Sequence, residues 1–382
     1  MEFSLTSEQA ERQRRIREWA ERSLNDDLST RDRARTFNRD GWRASAQLGL
    51  TGLVAPSQYG GAQLDPVSTM SALEALGRGC GDNGFSFALN AHLWGCVNPL
   101  AAFGTEEQKV AYLPRLVSGE SIGALAATER EAGSDVLSLK TRATKRGDGA
   151  YLLAGEKVLI TNAPVADVLL VLATLDAQCG AFGLTAFLVE RGTPGMRISE
   201  VVDKMGLSTA QMGEITLEGC VVPARNRLGA EGAGFAIFNH IMEWERGFIM
   251  AFAVGAMERQ LDACVAYARG RRQFERPIAQ FQVVAERLVN MRLRWEASRL
   301  LLYRFAWLKQ ETRVAVAEAA MTKLAVSEAW VRSCEDAMRI YGGYGYLTRT
   351  GVERDLRDAL GSLYYSGTAE IQRQVIARWM EL

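Results

Sequence analysis

Residues 234–269 read GFAIFNHIMEWERGFIMAFAVGAMERQLDACVAYAR, long enough for one buried helix. Ile237, Ile241, Phe248 and Phe252 are spaced by four and seven, so they share one face. Glu245 falls on that face, and its helical neighbours Ile241, Met242, Phe248 and Ile249 carry no charge. A carboxylate in an apolar stripe is costly to keep ionised without compensation. On pattern alone it is a buried acid paired with an Arg from another helix. The sharper reading is a general base whose proton affinity is raised by burial.

The 382 residues exceed one typical domain, so two or three are expected, and 48% hydrophobic residues suffice for a real core. The formal net charge is zero, which argues against a nucleic-acid or anionic-membrane footprint. The longest apolar runs, 168–173 and 247–257, are too short to span a bilayer. The N-terminus, MEFSLTSEQAERQRR, is polar from the start, with no secretory pattern. Six scattered cysteines without a CxxC pair read as reduced thiols of a cytoplasmic protein. Two histidines, His92 and His240, leave little material for a His-based metal site or a Ser-His-Asp triad, and no metal is expected.

Three textures follow one another. Residues 1–119 read mainly as helices: one opened by a capping box at Thr6 and Gln9, then stretches at 67–79, 86–103 and 105–117. Residues 120–228 hold short β-rich runs at 121–128, 149–154, 157–161, 167–175, 184–190 and 215–222, with turn residues between. No long helices interleave, so the expectation is an antiparallel sheet or barrel, not a parallel nucleotide-binding sheet. Residues 229–382 return to long amphipathic helices at 235–269, 280–310 and 314–341, then a last pair separated by 366–368, which suggests a bundle. The fold class is α+β, mostly α. No GxGxxG follows a strand and opens a helix, and no GxxxxGK[ST] occurs, so neither a Rossmann site nor a P-loop is supported.

Five separated pieces then align with one plan: TEREAGSD at 128–135, KVLITNAPVAD at 157–167, RGRRQFERPIAQFQ at 269–282, YGGYGY at 341–346 and YSGTAEIQ at 365–372. In this order, with helices flanking a β region, the whole chain resembles the acyl-CoA dehydrogenase flavoproteins. The resemblance implies an N-terminal helical domain, a central β-barrel and a C-terminal four-helix bundle. It also implies FAD between barrel and bundle, with a second subunit completing the ADP site of a homotetramer or homodimer.

By the same resemblance, Leu125, Ala127, Thr128, Gly133 and Ser134 would line the isoalloxazine, with Thr161 on its N5 side and Leu159 where the family has an aromatic wall. Donors there can stabilise charge building on a reduced flavin. Arg271, Gln273, Phe274 and Gln282 would hold the pyrophosphate and adenosine of the neighbouring subunit's cofactor, Arg being a forked phosphate donor. Gly342, Gly343, Arg339, Thr368 and Glu370 would frame the same cofactor, and His92, Ser134, Met242, Arg246, Tyr365 and Gly367 would border the acyl substrate. His92 is read as packing near the acyl pocket or as a satisfied core histidine, not as catalytic.

In many family members the base is a Glu just before the Gly-Thr of the final turn, where this chain has Ser366. In others it is a Glu directly before an Arg on the long helix, and here that pair is Glu245–Arg246. The resemblance therefore makes Glu245 the base, with the Ser366 main-chain N–H receiving the thioester carbonyl.

Departures from the family pattern include Leu159 for a Trp, and Arg339 and Glu370 each for a Gln; these last two are expected to pair. With NAPVAD, the CGDNG of 80–84 and MEWERGF at 242–248, they look most like a sub-branch that oxidises acyl groups, prolyl among them, on carrier proteins. The implied partners are a thioester on a phosphopantetheine arm, of a carrier protein or CoA, and an electron-transferring flavoprotein or oxygen as acceptor. A short- or branched-chain acyl-CoA dehydrogenase, a flavin oxidase or oxygenase, and a non-catalytic binding homologue stay open as alternatives.

Overall fold

The computed structural model describes residues 4–382; the first three residues of the polar N-terminal stretch lie outside it. Helices α1 (Ser7–Ser23), α2 (Leu28–Ala34), α3 (Arg39–Gln47), α4 (Pro66–Gly79), α5 (Asn83–His92), α6 (Asn98–Phe103) and α7 (Glu106–Val117) come first. Thr6 and Gln9 form the expected capping box of α1, and Thr105 with Gln108 forms another on α7. The segment read as one helix over 86–103 is divided. A π-helical turn, Leu93–Val97, separates α5 from α6. Gly95 in that turn sits against the Leu125 side chain, where a Cβ would stand 3.0 Å away.

The sheet strands are β1 (Gly123–Ala126), β2 (Arg142–Lys145), β3 (Tyr151–Thr161), β4 (Val168–Thr174), β5 (Leu184–Glu190), β6 (Met196–Ile198), β7 (Met212–Val222) and β8 (Arg227–Leu228). They follow the order β6-β7-β3-β2-β4-β5-β8, with β1 beside β4. This corrects the expected antiparallel barrel in two ways. The ladder does not close, and β1–β4 and β2–β4 pair in parallel. The two runs read at 149–154 and 157–161 are one bent strand, its register slipping at two places against β7.

The reason lies in β4, buried along its whole length. Leu169, Val171 and Ala173 join Tyr151, Phe187, Ile215 and Leu217 in a core enclosed by the curled sheet. Val168, Leu170 and Leu172 join Leu113, Leu116, Ile237 and Ile241 in a second core against helices. β4 and β5 thus bury both faces without a closing ladder.

The second helical set comprises α8 (Gly234–Phe248), α9 (Ala251–Gly270), α10 (Gln282–Gln310), α11 (Val316–Tyr341), α12 (Val352–Gly361) and α13 (Ala369–Trp379). The stretch read as a single helix over 235–269 is two, stepping at Ile249 and Met250. Its apolar stripe serves two cores: Ile237 and Ile241 pack towards the sheet, while Phe248 and Phe252 pack with Trp42, Trp94, Phe305 and Trp330. A short hairpin of β9 (Arg272–Gln273) and β10 (Arg276–Pro277) links α9 to α10.

Candidate active site

Glu245 lies near the C-terminal end of α8, half-buried, and its partner comes from the turn before α13. Ser366 Oγ donates a short hydrogen bond to Glu245 Oε1. Burial pushes the Glu245 carboxyl above the ordinary carboxylate range, while the Ser366 hydroxyl and the Arg246 charge pull it back. The partner is a hydroxyl from a turn, not the Arg of another helix that pattern alone suggests.

The turn itself is clamped from three sides. Arg246 Nε donates to the Ser366 carbonyl at 3.1 Å. Gln372 Nε2 donates to the same carbonyl at 3.1 Å and to that of Gly367 at 2.9 Å. Lys323 Nζ of α11, fully buried, donates to the Gly367 carbonyl at 2.8 Å. Burial and the nearby Arg246 charge bring the Lys323 ammonium down to about 7. Ser366 and Gly367 both take positive φ, 56° and 91°. Thr368 caps α13 by accepting from Ile371 N. Tyr365 packs its ring on Phe87 and its hydroxyl on Met250 Sδ.

Sequence reasoning missed Lys323 and Gln372. Lys323 was detectable by the logic applied to Glu245: it shares a face with Ala319, Val326 and Trp330, all buried.

A second group forms where β1 meets the end of β3. Lys157 Nζ, fully buried, bridges the Ala127 carbonyl at 3.1 Å and Glu129 Oε1 at 2.7 Å. Burial brings the Lys157 ammonium down to about 8 against the pull of that carboxylate. Glu129 also accepts from Lys140 N and Thr141 N. Val158 N donates to the Thr128 carbonyl at 2.9 Å. These bonds draw the TEREAGSD turn against β3. Leu159 then turns outward at φ 57° and is 59% exposed. Thr128, Thr161 and Leu125 are half-buried, and Gly133 and Ser134 are exposed. Ala127, Leu125, Ile241 and Met242 share one apolar cluster, so this group and the Glu245 group adjoin.

The third group faces outward. Phe274 and Glu275 form a two-residue hairpin loop with φ 51° and 65°, and Phe274 is 87% exposed. Arg271, Gln273 and Gln282 are exposed beside it. The Arg271 guanidinium lies 5.6 Å from the Tyr344 ring centroid, next to Gly342 and Gly343. A Cβ at either glycine would meet nothing within 4 Å, and Gly342 has φ 58°.

One expectation is decided and one fails. His92 is the satisfied core histidine of the two readings, fully enclosed, with Nε2 on the Thr51 carbonyl at 3.1 Å and Nδ1 accepting from Gly123 N at 2.9 Å, and it does not border a substrate. Both ring nitrogens are used, so it has nothing to offer a substrate; burial brings it down to about 4. Arg339 does not pair with Glu370. Its ion partner is Asp336, at 4.0 Å, and Glu370 is exposed at the start of α13.

The donor set fits FAD. Half-buried hydroxyls of Thr128 and Thr161 edge a β surface where a planar ring can lie, and open glycine backbone beside a guanidinium suits a diphosphate. Family models for the N-terminal, middle and C-terminal domains of acyl-CoA dehydrogenase match residues 6–120, 124–220 and 232–381. The chain belongs to the acyl-CoA dehydrogenase family. It is 43% identical over 351 residues to L-prolyl-[peptidyl-carrier protein] dehydrogenase of Pseudomonas fluorescens, covering 92% of each chain. The solved structure of the prolyl acyl carrier protein oxidase AnaB shares 50% identity, with a TM-score of 0.98 over 99% of this chain and 100% of that one. PigA solved with FAD and proline shares 40% identity, with a TM-score of 0.97 over the whole of both chains.

Proposed function

We propose that this protein removes two hydrogens from the α- and β-carbons of an acyl group of the prolyl type, held as a thioester on the phosphopantetheine arm of a carrier protein. The observation that carries the reading is the Glu245 carboxyl, set on an apolar helix face and held by the residue whose main chain lines the same turn. Relatives over almost the whole chain act on prolyl carried by such proteins, and PigA binds FAD and proline.

In the proposed reaction the thioester carbonyl makes the α-hydrogen acidic. The Ser366 N–H, in a turn clamped by Arg246, Gln372 and Lys323, donates to the carbonyl oxygen and stabilises the enolate-like charge. Glu245 takes the α-proton, and its apolar surroundings keep water from competing. FAD, when bound, supplies the acceptor for the hydride that leaves the β-carbon as the double bond forms. Leu125, Thr128 and Thr161 border the flavin ring, and Ser134 with Met242 and Tyr365 borders the acyl group.

Arg271, Gln273, Phe274, Gln282, Gly342 and Gly343 hold the ADP part of a second subunit's FAD in a homodimer or homotetramer. Support comes from the exposed Phe274 and from exposed apolar side chains along α10, among them Val283, Val289, Leu293 and Leu300. Reoxidation by oxygen is favoured over an electron-transferring flavoprotein because AnaB, 50% identical, is an oxidase. A cytoplasmic setting agrees with six free cysteines, of which Cys179 alone is exposed.

The test is anaerobic flavin bleaching with prolyl offered on a phosphopantetheinylated carrier and on CoA. Bleaching on the carrier alone is expected. Equal rates on CoA would move the protein to ordinary acyl-CoA metabolism.

A further inference from the structure

Ser366 stands at positive φ, a region that glycine enters freely and serine does not, and Gly367 follows it. Its carbonyl is engaged by Arg246 and Gln372, which fixes the peptide and leaves the side chain to face α8. There the hydroxyl meets Glu245 Oε1. Among the described residues Oε2 of Glu245 receives no hydrogen bond, so one carboxylate oxygen is tethered and the other is left to take a proton.

We infer that the Ser366 hydroxyl is the positioning donor of the base: it holds Oε1 so that Oε2 faces the substrate α-carbon, while the main chain of the same residue receives the thioester carbonyl. This rests on the function proposed above. One residue then sets the spacing between the proton acceptor and the oxyanion donor. The sequence position that could have carried a carboxylate base carries the tether of a base supplied by another helix.

The hydroxyl also opposes burial, because a donor to the charged form favours ionisation. The other groups acting on Glu245 are Arg246 on its own helix and the Tyr365 phenol from the turn. Lys323 of α11 donates to the Gly367 carbonyl and feels the charges of Arg246 and of Glu370 of α13. Lys309 of α10 is taken up by Glu243, and His92 of α5 by Thr51 and Gly123. None of these replaces the hydroxyl when it is removed.

The experiment measures the rate of anaerobic flavin bleaching against pH with prolyl-carrier substrate, for the wild type, Ser366→Ala and Ser366→Gly. A base works only when ionised, so the wild-type rate rises with pH through the raised Glu245 value and then levels. Both variants are expected to move that midpoint up by about one unit, with roughly tenfold slower bleaching below it, as loss of one hydrogen bond to a charged group implies. Ser366→Gly relaxes the backbone and should melt no lower than the wild type, so a shared shift reports the hydroxyl and not the fold. Profiles superimposable on the wild type in both variants overturn the inference. Glu245→Gln separates the two claims. If it still bleaches, Glu245 is not the base and the tether has nothing to position; if it is dead while the serine variants titrate like the wild type, only the tether falls.

Discussion

Around Glu245 and Lys157 the charges are wholly or partly buried and meet partners within one chain: Ser366 on Glu245, Glu129 on Lys157, the turn carbonyls on Lys323 and Arg246. At the hairpin of β9 and β10 the chemistry is of the same kind, with guanidinium, amide and glycine, but it stands in solvent with an 87% exposed Phe274 at its tip. Burial makes the inner half expensive to disturb, because a charge left without its partner cannot return to water. The outer half has no such penalty, so its changes should register in flavin retention and association, not in the fold of the chain. The first half can be judged from one copy; the second is where the proposed second subunit would act.

The largest effect should come from the inner half and leave the fold untouched. Glu245→Gln keeps the shape and can still accept from Ser366, but it cannot take a proton. Bleaching by the prolyl-carrier substrate is expected to slow on the order of a thousandfold, with melting temperature and flavin content near the wild type. Next, Lys157→Met leaves Glu129 buried with two main-chain donors and no counter-charge. It should destabilise the chain by about 3–5 kcal/mol in denaturant titrations. Adding Glu129→Gln should recover a large part of that, and absence of recovery would mean the pair does not act as a unit.

The outer half should respond differently. Arg271→Ala is expected to weaken FAD retention about ten- to a hundredfold, as loss of a charged hydrogen bond to a diphosphate would. Melting of the flavin-free chain should barely change. If Arg271→Ala instead unfolded the chain, the contrast between the halves would be lost.

The β region shows what was legible and why. Continuous apolar runs located β4 and β5 to within a residue or two, because strands packed between two cores lack a polar face. The short edge strands β6 and β8 carry too few residues to show a period. Closure into a barrel depends on hydrogen bonds between distant strands, which periodicity does not encode. Glu245 was legible because an acid on an apolar stripe is anomalous in the sequence itself. Its partner was not, since the contact joins α8 to a turn more than a hundred residues later. The step at Met250 was hidden for a related reason: both half-helices continue one apolar stripe, and only the packing reveals that it serves two cores.

Arg339 and Glu370 mark the weak end of the comparison. Each departs from the family's usual Gln, and a charge swap suggests a pair. Arg339 instead projects from the last turn of α11, 60% exposed, beside an Asp336 already engaged by Arg287 and Arg294. An exposed ion pair at that separation contributes little. Arg339→Gln, which restores the family residue, should change the stability of the chain by less than about 0.5 kcal/mol. Glu370→Gln should leave that result unchanged, because residues without a shared contact combine additively. Measured in the flavin-free protein, the two substitutions together should equal the sum of the singles. Strong coupling between them would appear only if assembly brought the Arg339 of one copy to the Glu370 of another, and then only in the assembled, flavin-bound form.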